Sequence, residues 1–236
     1  LLRRLVEPLL MGVYPGRCAG CDQPLPWRAD DEAFCEACAG LLERPEVACP
    51  TCGLPLGGAG RMCEACLLEP PPMLALRAAW WYGGPVRAAV HRFKFEQRPH
   101  LYRALSAALP GCLAPEWHVD AVAGVPMTDR ALAKRGYNPA WLLGQGLSRR
   151  AGLPRLRAST LVKVRETAPQ RGLGARERRE NVHDAFACRA RVEGFDVLLV
   201  DDVVTTGATA RECARVLLAA GARSVRVVSL ARTPLA

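Results

Sequence analysis

The sequence predicts an α/β domain, a parallel sheet covered by helices, behind a small cysteine-rich module. Three observations carry this reading: four C-x-x-C pairs crowded between Cys18 and Cys66, short strand runs that are almost wholly apolar, and the segment VLLVDDVVTTGAT (197–209), in which such a run ends in two carboxylates and a small-residue turn. A strand without polar alternation is buried on both faces, as in a parallel sheet whose crossovers place helices on each side. Ligands of such sheets bind beyond the carboxyl ends of the strands. The 236 residues, half of them hydrophobic, suffice for one ordinary core plus a smaller unit.

In chain order, residues 1–16 (LLRRLVEPLLMGVYPG) read as a helical segment, too short and too interrupted for a secretory signal. The chain opens on Leu1, not on an initiator Met. No run of about 18 apolar residues occurs, so no membrane insertion is predicted and a cytoplasmic protein is expected.

Residues 17–70 hold the cysteine pairs Cys18/Cys21, Cys35/Cys38, Cys49/Cys52 and Cys63/Cys66, with 13, 10 and 10 residues between successive pairs. Two thiolates three residues apart on a tight turn can reach one tetrahedral ion, and two such turns complete a closed four-sulfur zinc site. Disulfides or a redox pair are the competing reading, disfavoured in a chain without a secretion signal. The spacing therefore predicts a double zinc ribbon with two structural zinc ions. Sequential pairing gives one site from Cys18, Cys21, Cys35 and Cys38 and another from Cys49, Cys52, Cys63 and Cys66; interleaved pairing remains open. Cys112, Cys188 and Cys213 stand alone and are expected to be small buried apolar residues.

Charge divides the chain. Residues 1–70 carry 6 Arg against 10 Asp and Glu, net −4, which leaves 26 basic against 13 acidic residues, net +13, for the remainder. Eight thiolates and two zinc ions take the module to −8 and make it a poor binder of phosphate backbones, suited to a structural or protein-docking role. The basic remainder suits a phosphorylated small molecule or a nucleic acid.

Pro70, Pro71 and Pro72 mark the start of the second domain, residues 71–236. ALRAAWWYGG (75–84) reads as a strand and turn. Pro85 then opens a helix whose Val86, Val90 and Phe93 share one face, with His91, Arg92 and Lys94 on a basic face expected to be solvated. VDAVAGVP (119–126) reads as a strand followed by a polar loop, and Asn138-Pro139 as the cap and first turn of the helix AWLLGQGLSRR. VLLV (197–200), TARECARVLLAA (209–220) and SVRVVSL (224–230) read as strand, helix and strand, with Gly221 as the helix stop.

Four apolar residues thus place Asp201 and Asp202 where ligands of such sheets bind. Adjacent carboxylates there are costly unless they accept hydrogen bonds from vicinal hydroxyls or lie near a divalent ion. Thr205, Thr206, Gly207, Ala208 and Thr209 form a turn entering a helix, so that backbone N–H groups, hydroxyls and the positive helix end converge on one phosphate. The Gly-Lys-Ser/Thr end of a Walker loop and the dinucleotide fingerprint are both absent.

This segment resembles the 5-phosphoribosyl pyrophosphate (PRPP) motif of type I phosphoribosyltransferases. The likeness implies that Asp201 and Asp202, at the catalytic centre, hold the ribose hydroxyls, that residues 205–209 cradle the 5-phosphate, and that Mg²⁺ bridges hydroxyls and pyrophosphate. With the four cysteine pairs, YGGPVRAAVHRFKF (82–95), GVPMTDRALAKRGYNPA (124–140) and TAPQRGLGARERRENVHDAF (167–186), the whole chain is similar to the ComF/GntX family of competence-associated phosphoribosyltransferase-like proteins. That resemblance assigns GVPMTDR to the pyrophosphate loop with Arg130 and Arg135 at its basic positions. It assigns Gln170, Leu173, Arg178 and Asn181 to a mobile loop closing over PRPP, where Arg171, Arg176 and Arg179 add charge suited to bidentate phosphate contact. Gly124, Met127 and Pro139 depart from the family's usual Pro, Leu and Gln, and Ala131 from a commonly basic residue.

Two main functions follow. From the resemblance comes a cytoplasmic component of natural competence that handles incoming single-stranded DNA beside a helicase-like partner, reaching the inner face of the membrane through partners. The other is an enzyme of nucleobase or nucleotide metabolism that transfers phosphoribose from PRPP, a reaction in which the protein positions groups and neutralises pyrophosphate, so that no nucleophile is required. PRPP sensing without chemistry is a third possibility. Trp80, Trp81, Tyr82, Phe93, Phe95 and Tyr137 are candidate stacking residues for a DNA strand, with core packing the competing fate for most.

Overall fold

The structure is a computed structural model, and it describes residues 16–25, 32–57, 61–167 and 175–234. The N-terminal helical segment therefore falls, save Gly16, outside the described residues, as do Gln170, Arg171 and Leu173.

The cysteine-rich module is two copies of one device. In the first, Asp22 N–H reaches Cys18 O at 2.9 Å and Arg17 bridges Pro24; in the second, Gly53 N–H reaches Cys49 O at 2.8 Å and Ala48 bridges Pro55. The residue after each leading pair is left-handed, Asp22 at φ 65° and Gly53 at φ 70°, which turns the chain sharply enough to bring two sulfurs together. The second pair of each copy sits at a helix start: Cys35 caps α1 (Glu36–Ala39) and Cys63 caps α2 (Glu64–Leu68).

The larger unit is built on a four-stranded parallel sheet. β1 (Ala75–Trp81), β2 (Ala121–Gly124), β5 (Asp196–Val204) and β6 (Ser224–Arg232) lie in the order β1-β6-β5-β2. A short antiparallel hairpin of β3 (Leu161–Lys163) and β4 (Phe186–Cys188) stands apart from it. The helices are α3 (Gly84–Phe95), α4 (Tyr102–Leu105), α5 (Asp129–Arg135), α6 (Pro139–Ala151), α7 (Ala175–Val182) and α8 (Ala208–Ala219). Successive strand residues point to opposite faces. Leu198, Val200, Val228 and Leu230 accordingly pack with Val86, Val90, Phe93, Leu143 and Leu147 of α3 and α6. Val197, Leu199, Val225 and Val227 pack with Cys213, Ala214 and Leu217 of α8 and with the hairpin. The doubly covered parallel sheet expected from the apolar runs is therefore present, and Val86, Val90 and Phe93 do share its buried face.

Asn138 accepts the Trp141 N–H at 3.2 Å with Pro139 in the first turn, as their order predicts. The segment read as a polar loop after residue 126 is instead α5, capped by Thr128 and ended by left-handed Gly136 at φ 83°. α5 buries no residue and so lacks the apolar stripe by which helices are recognised; only its caps betray it. β5 and β6 outrun the apolar cores seen in the sequence, pairing on through Asp201↔Ser229 and Val204↔Arg232. The three-residue strands of the hairpin carry no periodicity that a sequence could display.

At the opposite, amino-terminal end of β5, buried Asp196 accepts from Arg223 Nε at 3.1 Å and from Ser224. The Arg223 bonds hold its carboxyl down at about 2. A depressed carboxyl contributes stability that is complete above its ordinary pKa of 3.8 and is lost as pH falls through about 2. Asp196→Asn is expected to cost about 2 kcal/mol at pH 7 and to flatten stability against pH below 4; urea melts across pH 2–7 that match wild type contradict this.

Candidate functional site

The cysteines group sequentially. The Sγ atoms of Cys18, Cys21, Cys35 and Cys38 all lie within 4.8 Å of one another, as do those of Cys49, Cys52, Cys63 and Cys66. Cys21 and Cys35 are 3.7 Å apart, Cys52 and Cys63 3.5 Å. A zinc ion with Zn–S bonds of about 2.3 Å holds its sulfurs roughly 3.8 Å apart, so both quartets fit the metal. Burial opposes ionisation of Cys18 and Cys49, but backbone N–H groups aimed at each sulfur prevail and bring them to about 6 and about 7. Both are thus poised as thiolate ligands near neutral pH. Of the lone cysteines, Cys112 and Cys213 are buried as expected and Cys188 is half-buried.

The ribbons grip the α/β unit. Arg92 of α3 donates to Ala19 O at 2.8 Å and to Gly20 O, Arg98 pairs with Asp22, and Phe34 meets Trp80 edge to face at 5.4 Å. The second ribbon bonds through Leu76 N–H to Pro50 O at 3.2 Å and Arg232 Nε to Cys52 O at 3.1 Å.

At the carboxyl end of β5 the two carboxylates diverge, as alternation requires. Asp202 lies on the α3 side, where Lys94 Nζ stands 2.7 Å from Oδ1, the two side chains only 19% and 12% exposed. The basic face of α3 is therefore solvated only in part: His91 is exposed, whereas Arg92 and Lys94 are turned inward, to a ribbon and to the site. Asp201 lies on the α8 side near Cys213. Burial, and then the neighbouring Asp202 charge, push its carboxyl up to about 7 against the pull of Lys94.

Beyond Val204 the chain turns at left-handed Gly207 (φ 81°), the N-cap of the 12-residue α8, and Thr206 Oγ1 accepts the Ala208 N–H at 3.4 Å. Asp201, Thr205, Gly207, Ala208 and Thr209 line a cleft of about 30 Å³ there, with Val203, Val204 and Ala210. Two carboxylates and a helix-entry turn of N–H groups and hydroxyls thus share one edge, an arrangement that can hold a polyol phosphate.

The loop after β2 lies against this edge. Val125 N–H bonds Val200 O at 2.9 Å, Asn138 Nδ2 bonds Val125 O at 2.9 Å, and Thr128 Oγ1 donates to Glu166 Oε1 at 2.5 Å, tying the loop to the end of β3. Arg130 and Arg135 follow on α5; Arg130 is exposed and Arg135 lies 5.3 Å over the Phe95 ring. Asn181 is on α7, its carbonyl bonded to Arg165 Nη2 at 3.1 Å. Arg176, Arg178 and Arg179 also lie on α7, but their side chains fall outside the described residues. Trp80 and Phe93 are core, Trp81, Tyr82 and Tyr137 are half-buried, and Phe95 is exposed.

Lys94, Thr128, Glu166 and Arg232 stand at the site by tertiary packing and not by any local motif. A signal existed only for Lys94, one of three lysines in a chain with 32 basic residues.

A family described as a double zinc ribbon domain matches residues 9–67, and one described as a phosphoribosyl transferase domain matches residues 147–234. The DNA utilization protein YhgH of Salmonella typhi is 36% identical over 233 residues, spanning 94% of this chain and 100% of its own length. Competence protein F of Haemophilus influenzae is 31% identical over 232 residues with the same coverage. Competence protein ComFC of Bacillus subtilis is 29% identical over 241 residues, 94% of this chain and 97% of its own.

Proposed function

Since this chain belongs to the family of competence protein F, and joins a double zinc ribbon to a phosphoribosyl transferase domain, we propose that it binds PRPP, or a nucleotide carrying ribose 5-phosphate, at residues 197–209. We further propose that it uses this site in handling single-stranded DNA during natural competence. The observation that carries the reading is the edge itself: two carboxylates ending β5, then left-handed Gly207 opening α8. Asp201 and Asp202 take the ribose 2′ and 3′ hydroxyls, and Thr205, Thr206, Gly207, Ala208 and Thr209 take the 5-phosphate. Arg130 and Arg135 face the pyrophosphate, and Arg178, with the loop before it, closes over the ligand. The hard oxygen donors of Asp201 and Asp202 suit Mg²⁺, which takes the rest of its shell from phosphates and water and would neutralise the pyrophosphate when bound. The working units are residues 17–70 and 71–236.

The relatives' names, competence protein and DNA utilization protein, support the DNA role, as does the +13 charge of residues 71–236. A helicase-like protein is the proposed partner and the cytoplasm the proposed compartment. Among the described residues no helix is long and apolar enough to cross a membrane. Single-stranded oligonucleotide affinity should fall steeply with salt, by about 0.7 log units per log unit of salt for each phosphate contact. Neutralising Arg176, Arg178 and Arg179 together should lower that slope by about 2. Salt-insensitive binding, or none, argues against direct DNA handling.

A second reading, a working transferase that passes phosphoribose to a nitrogenous base, is favoured by the match of residues 147–234 to a transferase domain. Displacement at the anomeric carbon asks the protein to position PRPP and bind departing pyrophosphate. Incubation with PRPP and a panel of bases, read by pyrophosphate release, separates the two. Base-dependent release establishes the enzyme; PRPP binding without release leaves a ligand-gated DNA-handling protein.

A further inference from the structure

Arg232, the last residue of β6, is wholly buried and is among the largest such side chains in the molecule. Its hydrogen-bond partners are three carbonyl oxygens: Cys52 from Nε at 3.1 Å, and Val204 and Thr233 from Nη1 at 3.2 and 3.3 Å. Among the described residues no carboxylate pairs with it. A guanidinium sealed from water without a counter-charge is strongly disfavoured. The charged or ionisable groups facing it are the sulfurs of Cys52, Cys63 and Cys66, and the Arg211 guanidinium on α8. Four thiolates on one Zn²⁺ would carry a net charge of −2, and a zinc ion held by this quartet would supply the counter-charge that the arginine otherwise lacks.

The other end of the guanidinium matters as much. Val204 is the last residue of β5 and precedes Thr205, the first residue of the phosphate turn; its carbonyl also accepts the Thr233 N–H at 2.9 Å. The knuckle seats tightly against this junction, since a Cβ on Gly53 would fall 2.8 Å from Leu76 Cδ2 and 3.8 Å from Arg232 Cδ. One buried fork therefore spans from a zinc knuckle to the strand end that aims the turn.

We propose that Arg232 is a positioning residue that couples the second zinc centre to the phosphate turn, so that zinc held by Cys49, Cys52, Cys63 and Cys66 keeps residues 205–208 in their ligand-binding shape. The ligand role of the turn rests on the function proposed above, but the coupling can be measured without a ligand.

The experiment is hydrogen exchange of the zinc-loaded full chain, followed over residues 203–210 by mass spectrometry. Zinc release to 4-(2-pyridylazo)resorcinol is recorded alongside. Arg232→Met fills the same volume and buries no charge, an exchange that folds commonly tolerate. It is expected to speed exchange at 205–208 about tenfold with α6 unchanged, and to hasten the release of one of the two zinc equivalents. Arg232→Lys, which keeps the charge, should restore most of the zinc retention. Cys63→Ser should loosen the same amides, whereas Cys21→Ser, at the first centre, should not. Exchange at 205–208 that stays at the wild-type rate in Arg232→Met and in Cys63→Ser overturns the coupling. If Arg232→Met does not fold, Cys63→Ser and Arg232→Lys decide by the same readouts. Failure of wild type to bind PRPP in a parallel titration removes the ligand reading and leaves the exchange result standing.

Discussion

Asp201→Asn is expected to weaken the stabilisation of the chain by PRPP and, at the same time, to make the ligand-free chain more stable at pH 8. Both effects follow from its position. Asp201 shares the end of β5 with Asp202, and burial together with that neighbouring charge raises its carboxyl from 3.8 to about 7. A raised carboxyl contributes stability that is complete below pH 3.8 and is lost as pH rises through about 7, because the native state binds the proton more tightly than the unfolded chain. Removing the charge should therefore stabilise the ligand-free chain at pH 8, by up to about 4 kcal/mol, and raise its Tm. Asp202→Asn should act oppositely on stability, since it leaves Lys94 largely buried without its 2.7 Å partner. On binding the two agree: each carboxylate–hydroxyl bond contributes about 2 kcal/mol, so the double variant should lose roughly a thousandfold in PRPP affinity. Thermal melts with and without PRPP and Mg²⁺ read both effects. Equal PRPP-induced shifts in wild type and double variant contradict the assignment of these carboxylates.

Removal of zinc is expected to unfold the ribbons outright. Among the described residues, the second ribbon's buried cluster consists of Cys49, Cys52 and Cys66, with Leu54, Leu56, Met62 and Cys63 packed against it. That is far too little apolar surface to offset the entropy of ordering the segment. Structural zinc supplies on the order of 10 kcal/mol to such sites. In the first ribbon, loss of the metal releases Ala19 and Gly20 from Arg92 and Phe34 from Trp80. Chelation should therefore red-shift tryptophan emission as well as alter circular dichroism. Metal analysis should find two zinc ions per chain. One zinc per chain, or a spectrum indifferent to chelation, contradicts two structural centres.

What the sequence displayed depended on whether a feature was local. The C-x-x-C pairs, the cap at Asn138-Pro139 and the strand–turn–helix around Gly207 are each encoded within a few residues and are legible directly. Spacing fixes which sulfurs share a turn, not which turns meet, so the sequence alone leaves the grouping of the cysteine pairs open. Lys94 reads as part of a basic helical face; its approach to Asp202 depends on how α3 packs on β5, 108 positions away in the chain. Arg232 follows a strand run that ends, by apolarity, at Leu230, and its partner Cys52 lies 180 positions away. The hairpin strands β3 and β4 are three residues each, below the length at which alternation can register. α5 is concealed although its signals are local: it buries no residue, and only the caps Thr128 and Gly136 mark it.

PRPP is proposed to occupy the end of β5. Calorimetric titration of the zinc-loaded wild-type chain with PRPP in Mg²⁺ is the direct measurement, with ribose 5-phosphate and inorganic pyrophosphate titrated separately. One saturable PRPP site per chain, weakened by ribose 5-phosphate in competition and lost in the Asp201→Asn, Asp202→Asn double variant, is the predicted result. No heat of binding at millimolar PRPP, or binding that the double variant retains, contradicts it.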